Sequence, residues 1–164
     1  MTQTKTLEPT TIKDDSQTKV CFVCTGNTCR SPMAAAVLNS LGKGKYVAES
    51  AGILADKGAP MTDKAIAALQ KAGIDPVAGN DYTTHTARQL NSGILDSADL
   101  IVGVGAGHAM MIIQSYPLFA SKITAFPKAV TDPFGQSQEV YDRCLAEITE
   151  QIKAMFQVSG GQND

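Results

Sequence analysis

The stretch Val20-Cys21-Phe22-Val23-Cys24-Thr25-Gly26-Asn27-Thr28-Cys29-Arg30-Ser31-Pro32 leaves this chain few folds to choose from. An apolar run ends in a cysteine. Five small or polar residues follow, and Arg30-Ser31-Pro32 opens into the helix-like run Met33 to Leu38. Gly26 and Asn27 tolerate the left-handed backbone that a tight loop needs. A strand feeding such a loop and then a helix aims backbone N–H groups, and the positive end of a helix dipole, at one spot.

The rest of the chain repeats the alternation. Lys19 to Cys24 reads as the first strand. A helix follows to Leu41, with Ser31 as its cap and Pro32 at its first position, and Gly42 and Gly44 stop it. Tyr46 to Ser50 is a second strand. A helix over Thr62 to Lys71 starts near Thr62 or Asp63 and stops at Gly73. Asn91 to Ala98 is a short helix, with Leu90, Ile94 and Leu95 inward. Leu100 to Val104 is almost wholly apolar, as a strand buried on both faces should be. Gly107 to Ser115 is helical, and Lys122 to Phe126 is a fourth strand. Gln138 to Phe156 is a long amphipathic helix with Val140, Cys144, Leu145, Ile148, Ile152, Met155 and Phe156 on one face. Strands separated by helices pair in parallel with right-handed crossovers. The expected fold is therefore α/β, an open parallel sheet of about four strands with helices on both faces. In such sheets ligands bind at the carboxyl ends of the strands, where Cys24 sits.

The chain has 164 residues and a net charge of −2, so nothing general draws it to nucleic acid or an anionic membrane. Any anion site must be local. Residues 1–18 are polar and rich in Thr, Lys and Asp, and are expected to be a disordered extension. Residues 19–158 form the expected domain and 159–164 a frayed tail. No apolar run suits a secretory signal or a membrane span. Four cysteines in a chain of this size do not suggest a disulfide scaffold, and a reduced, cytoplasmic setting is expected.

Within that frame the loop carries the chemistry. The nucleophilic form of a thiol is the thiolate, which helix-end N–H groups and a neighbouring arginine favour. An arginine grips two phosphoryl oxygens in a bidentate fork, which lysine does not reproduce. Cys24 and Arg30 thus suit displacement at phosphorus through a cysteinyl-phosphate. The leaving group needs a proton, and Asp132-Pro133-Phe134-Gly135 supplies a candidate acid on a loop leaving the fourth strand. Taken alone, an Asp-Pro pair is more often a surface turn. Other readings fare worse. Cys21 and Cys24 lie within a strand, and His85 and His108 lack ligand spacing, so neither metal nor cofactor is expected. The run Gly103 to Gly107 hints at a dinucleotide loop, but His108 stands where the last glycine belongs, and a turn into a helix is the better account.

Five segments carry a resemblance to the low-molecular-weight protein tyrosine phosphatases. They are Cys24 to Ser31, Ser50-Ala51-Gly52, His85-Thr86-Ala87-Arg88-Gln89-Leu90, Ser97-Ala98-Asp99-Leu100 and Asp132 to Gly135. The resemblance implies that Cys24 is the nucleophile, Arg30 the phosphate clamp, and Asp132 first the acid and then the base. It implies phosphate contacts along Thr25, Gly26, Asn27, Thr28, Cys29 and Ser31, with Phe134 beside the substrate. Asn27 would hold a strained loop through Ser31, Ser50 and His85. Cys29 would be either a redox partner that shields Cys24 through a reversible disulfide or a small packed residue. The substrate would be a phosphorylated protein. Tyrosine-directed members commonly carry Ile at the position of Thr28, whereas Thr resembles the bacterial protein-arginine phosphatases, which tilts the expectation toward phosphoarginine over phosphotyrosine. The alternatives are an arsenate reductase on the same scaffold, disfavoured because residues 101–120 contain no cysteine, and a non-catalytic phosphopeptide or anion-binding module.

Overall fold

The computed structural model describes residues 17–159. Of the expected extension over 1–18 and tail over 159–164, residues 1–16 and 160–164 lie outside the described part. Thr18 belongs instead to the first strand.

Strand β1 (Thr18–Cys24) is buried from Val20 onward, which is why its sequence is a continuous apolar run and not an alternating one. It lies between β2 (Tyr46–Gly52) and β3 (Leu100–Gly103), with β4 (Ile123–Ala125) outside β3. All pairings are parallel, in the order β2-β1-β3-β4. The chain moves first to one side of β1 and then crosses to the other. A crevice therefore opens at the carboxyl end of β1, and Cys24 is its last residue.

Helices α1 (Arg30–Leu41), α2 (Asp63–Lys71) and α5 (Gln138–Phe156) cover one face over Phe22, Met33, Leu38, Leu69 and Ile148. Helices α3 (Ser92–Ser97) and α4 (Ala106–Ser115) cover the other over Val23, Leu95, Ile101 and Ile112. Cys21 and Cys24 fall into these two different layers, as side chains three apart on a strand must. The expected α/β sheet of four parallel strands with helices on both faces is the observed one. Among the described residues no helix is long and apolar enough to cross a membrane.

Three local expectations are corrected. Helix α1 starts at Arg30 with Cys29 at the cap position, so Ser31 is not its cap and Pro32 is its third residue, not its first. The Ser31 hydroxyl is drawn into the loop below, and a proline in the first turn still sits where amides lack intrahelical partners. Strand β4 is only three residues long because a 3-10 segment, Pro117–Lys122, occupies its expected start. The buried face of α5 includes Tyr141 and Gln151, with Val140 only half-buried.

Candidate active site

Residues 24–30 form a loop between β1 and α1, and with Asp132 and Phe134 they line a cleft of about 250 Å³. Clefts of about 290 and 470 Å³ lie elsewhere, but neither contains a cysteine. Cys24 is buried at the floor. Its Sγ stands 3.0 Å from Ser31 Oγ and accepts the Asn27 N–H at 3.3 Å. The Ser31 hydroxyl also lies 3.5 Å from Ala51 O, so it ties the sulfur to β2.

Asn27 has φ of 62°, a left-handed conformation that a non-glycine residue keeps only when its surroundings insist. They do. Its side-chain amide donates to Ser31 Oγ and Ser50 Oγ, each at 2.9 Å. Its side-chain oxygen accepts the Arg88 N–H at 2.9 Å, and its backbone carbonyl accepts His85 Nε2–H at 2.7 Å. Burial holds the His85 pKa below its ordinary 6.5, against the opposing pull of that carbonyl, so the ring is neutral at pH 7 and donates from Nε2. Arg88 was not singled out from sequence beyond its place in a matching segment. Its Nε donates to Ser50 O at 2.8 Å and its guanidinium meets Glu49 at 3.0 Å, which ties the Asn27 support to β2.

The loop also leans on Gly52. A Cβ there would fall 2.6 Å from Thr25 O and 3.1 Å from Asn27 Cβ. Backbone oxygen cannot yield as a side-chain tip can. Gly52→Ala should therefore cost about 1–3 kcal/mol of stability, measured by urea unfolding.

Arg30 Nη2 lies 3.6 Å from Asp132 Oδ2 across the cleft. The loop that carries Asp132 is strapped to α5. Thr131 N–H donates to Glu147 at 3.0 Å, Lys128 N–H to Gln151 at 3.1 Å, and the Cys144 thiol to Thr131 O at 3.2 Å. None of these straps is visible in a linear reading. Helix α2 adds another: Thr62, its cap, gives its N–H to Thr28 O at 3.1 Å.

The remaining cysteines differ in kind. Burial pushes the thiols of Cys21 and Cys144 up to about 12, which makes both inert. Cys29 is buried among hydroxyls, with Tyr141 OH at 3.5 Å and Thr62 Oγ1 at 3.6 Å from its Sγ. Tyr141, pushed up to about 12 chiefly by burial, keeps its proton. All four thiols are free.

Fold and loop together are those of the low-molecular-weight protein phosphatases. Residues 19–161 match the family described as low molecular weight phosphotyrosine protein phosphatase, and the chain belongs to that family. It is 34% identical over 137 residues to a protein-arginine-phosphatase of Geobacillus stearothermophilus, covering 79% of this chain and 88% of that one. It is 32% identical over 139 residues to an arsenate reductase of Bacillus cereus (strain G9842), covering 85% and 94%. The solved low molecular weight protein tyrosine phosphatase from T. tengcongensis superposes with a TM-score of 0.77 at 35% identity, over 85% of this chain and 98% of that one.

Proposed function

We propose that the chain hydrolyses phosphoarginine in cytoplasmic protein substrates, with Cys24, Arg30 and Asp132 as the reacting set. The convergence of these three side chains on one cleft carries the reading. The Cys24 thiolate attacks phosphorus in line while Arg30 and the loop N–H groups hold the equatorial oxygens. Asp132 gives its proton to the leaving nitrogen as the P–N bond breaks, which releases arginine. Water then attacks the cysteinyl-phosphate, the Asp132 carboxylate takes its proton, and phosphate departs with the thiolate restored. Ser31, 3.0 Å from Sγ, stabilises the thiolate as leaving group in this second step. Cys29 is the partner for a reversible disulfide with Cys24 under oxidation.

Two observations favour phosphoarginine. Thr28 puts a short side chain with a hydroxyl where a larger Ile would fill the cleft wall, and the arginine phosphatase of G. stearothermophilus is among the relatives. The carbonyl oxygen of the Asp132 carboxyl can accept from a guanidinium N–H, and the exposed Phe134 ring can stack on that planar group. That ring would serve a phenol as well, which keeps phosphotyrosine as the second reading. Arsenate reduction needs a relay of reactive thiols, and Cys21 and Cys144 are buried and inert. A binding module without turnover would have no use for both Cys24 and Asp132.

Phosphate release from matched phosphoarginine and phosphotyrosine proteins, without added metal and with Cys24→Ser as the blank, tests the proposal. Phosphoarginine should be preferred, and Thr28→Ile should lower that preference by about tenfold or more. Preference for phosphotyrosine, unmoved by Thr28→Ile, would return the chain to the tyrosine-directed class.

A further inference from the structure

His108, which breaks a glycine pattern in the sequence and lacks metal-ligand spacing, reaches the phosphate loop. It is the third residue of α4, on the turn that follows β3. Its Nδ1 accepts the Gly105 N–H at 3.2 Å, and its Nε2 stands 3.1 Å from Thr25 Oγ1. A neutral imidazole carries one proton, so a ring that accepts at Nδ1 donates from Nε2. The Thr25 oxygen is therefore the acceptor, and its own O–H remains free to donate. Thr25 follows Cys24 directly and lines the cleft. Its backbone carbonyl is already held by the Leu54 N–H at 2.9 Å.

The turn that bears His108 has no slack. A Cβ on Gly103 would lie 2.7 Å from Ala109 N, and the Val104 N–H bonds Val23 O at 2.9 Å, one residue before Cys24. The ring thus links two neighbouring strand-to-helix turns at the crevice.

We propose that His108 is a positioning residue for the phosphate loop, its neutral ring fixing Thr25 so that the threonine hydroxyl donates to a bound phosphoryl oxygen. This rests on the phosphatase reading of the loop. A protonated ring would set Nδ1–H against the Gly105 N–H, donor facing donor, and would place a second cation near Arg30. Burial first, and then the Arg30 cation that faces it, hold its pKa below 6.5, while the facing Asp132 pulls the other way. The clamp is therefore present while the ring is neutral and is lost as pH falls through that lowered pKa.

Three readouts on the full chain decide the matter. Long-range 1H–15N NMR at pH 7.5 should find the His108 proton on Nε2, and a proton on Nδ1 would overturn the proposal. His108→Ala should weaken inhibition by inorganic phosphate about tenfold and lower kcat/KM by a similar factor, as loss of one fixed donor predicts. His108→Gln, whose amide can accept from Gly105 and donate to Thr25 but does not titrate, should recover most of that loss and flatten the fall in phosphate binding below pH 6.5. A Gln variant no better than Ala, or an Ala variant that melts lower yet binds phosphate within twofold of the parent, would make His108 a packing residue only. Should the Ala variant not fold, the tautomer and the Gln pH profile still decide. Neither tautomer nor phosphate binding needs turnover, so failure here is distinct from failure of the Cys24 chemistry.

Discussion

Cys24→Ser should abolish turnover on every phosphorylated substrate while leaving inorganic phosphate binding in place. Serine keeps the shape of the site, and its hydroxyl can meet Ser31 Oγ and the Asn27 N–H much as the thiol does at 3.0 and 3.3 Å. What it lacks is ionisation. An alcohol is a far weaker acid than a thiol, so serine supplies no comparable anionic nucleophile. Asn27 N–H donates to position 24, Ser31 Oγ lies within hydrogen-bond reach of it, and His85 is committed to the Asn27 carbonyl at 2.7 Å. Activity should fall at least about 10⁴-fold, to the blank. Phosphate release is the measurement, with phosphate binding followed separately by calorimetry. Turnover retained by the serine variant would end the cysteinyl-phosphate mechanism.

Asp132→Ala should slow hydrolysis by about 10²–10⁴-fold without disturbing the fold. The carboxylate is 61% exposed, and its 3.6 Å approach to Arg30 is a solvent-screened pair, so stability should change by no more than about 0.5 kcal/mol. The kinetic loss should depend on the leaving group. A phosphoramidate or an alkyl phosphate needs its proton at the moment of cleavage, whereas a nitrophenolate leaves readily without one. A Brønsted series of aryl phosphates should therefore be steeper for the variant than for the parent. Equal losses across the series would mean that Asp132 acts only by holding Arg30.

The fold was legible because its signals are local. The apolar run of β1, the glycines after Leu41, the cap at Thr62 and the periodicity of α5 each report on a few neighbouring residues, and parallel pairing follows from their alternation. Errors arose where a long-range bond outcompeted a local one. Ser31 looks like a helix cap because serine before a helical run commonly is one, but its hydroxyl has better partners in the Cys24 thiol and the Asn27 amide. Tyr141 looks interchangeable with Val140 along a helical stripe. Only the approach of α5 to the loop, 112 residues from Cys29, selects the tyrosine.

The sequence by itself determined which chemistry is possible. A cysteine and an arginine at the two ends of one short loop need nothing but the chain between them to meet around an anion. Tertiary structure alone decided how that loop is held. Arg88 supports Asn27 from 61 residues away, His108 reaches Thr25 from 83, and Glu147 straps Thr131, beside Asp132, from 16. The physical reason is that a left-handed asparagine and a buried thiol are unfavourable alone and persist only when hydrogen bonds converge on them from several elements. Those elements come together only when the sheet order β2-β1-β3-β4 brings the carboxyl ends of β1, β2 and β3 side by side.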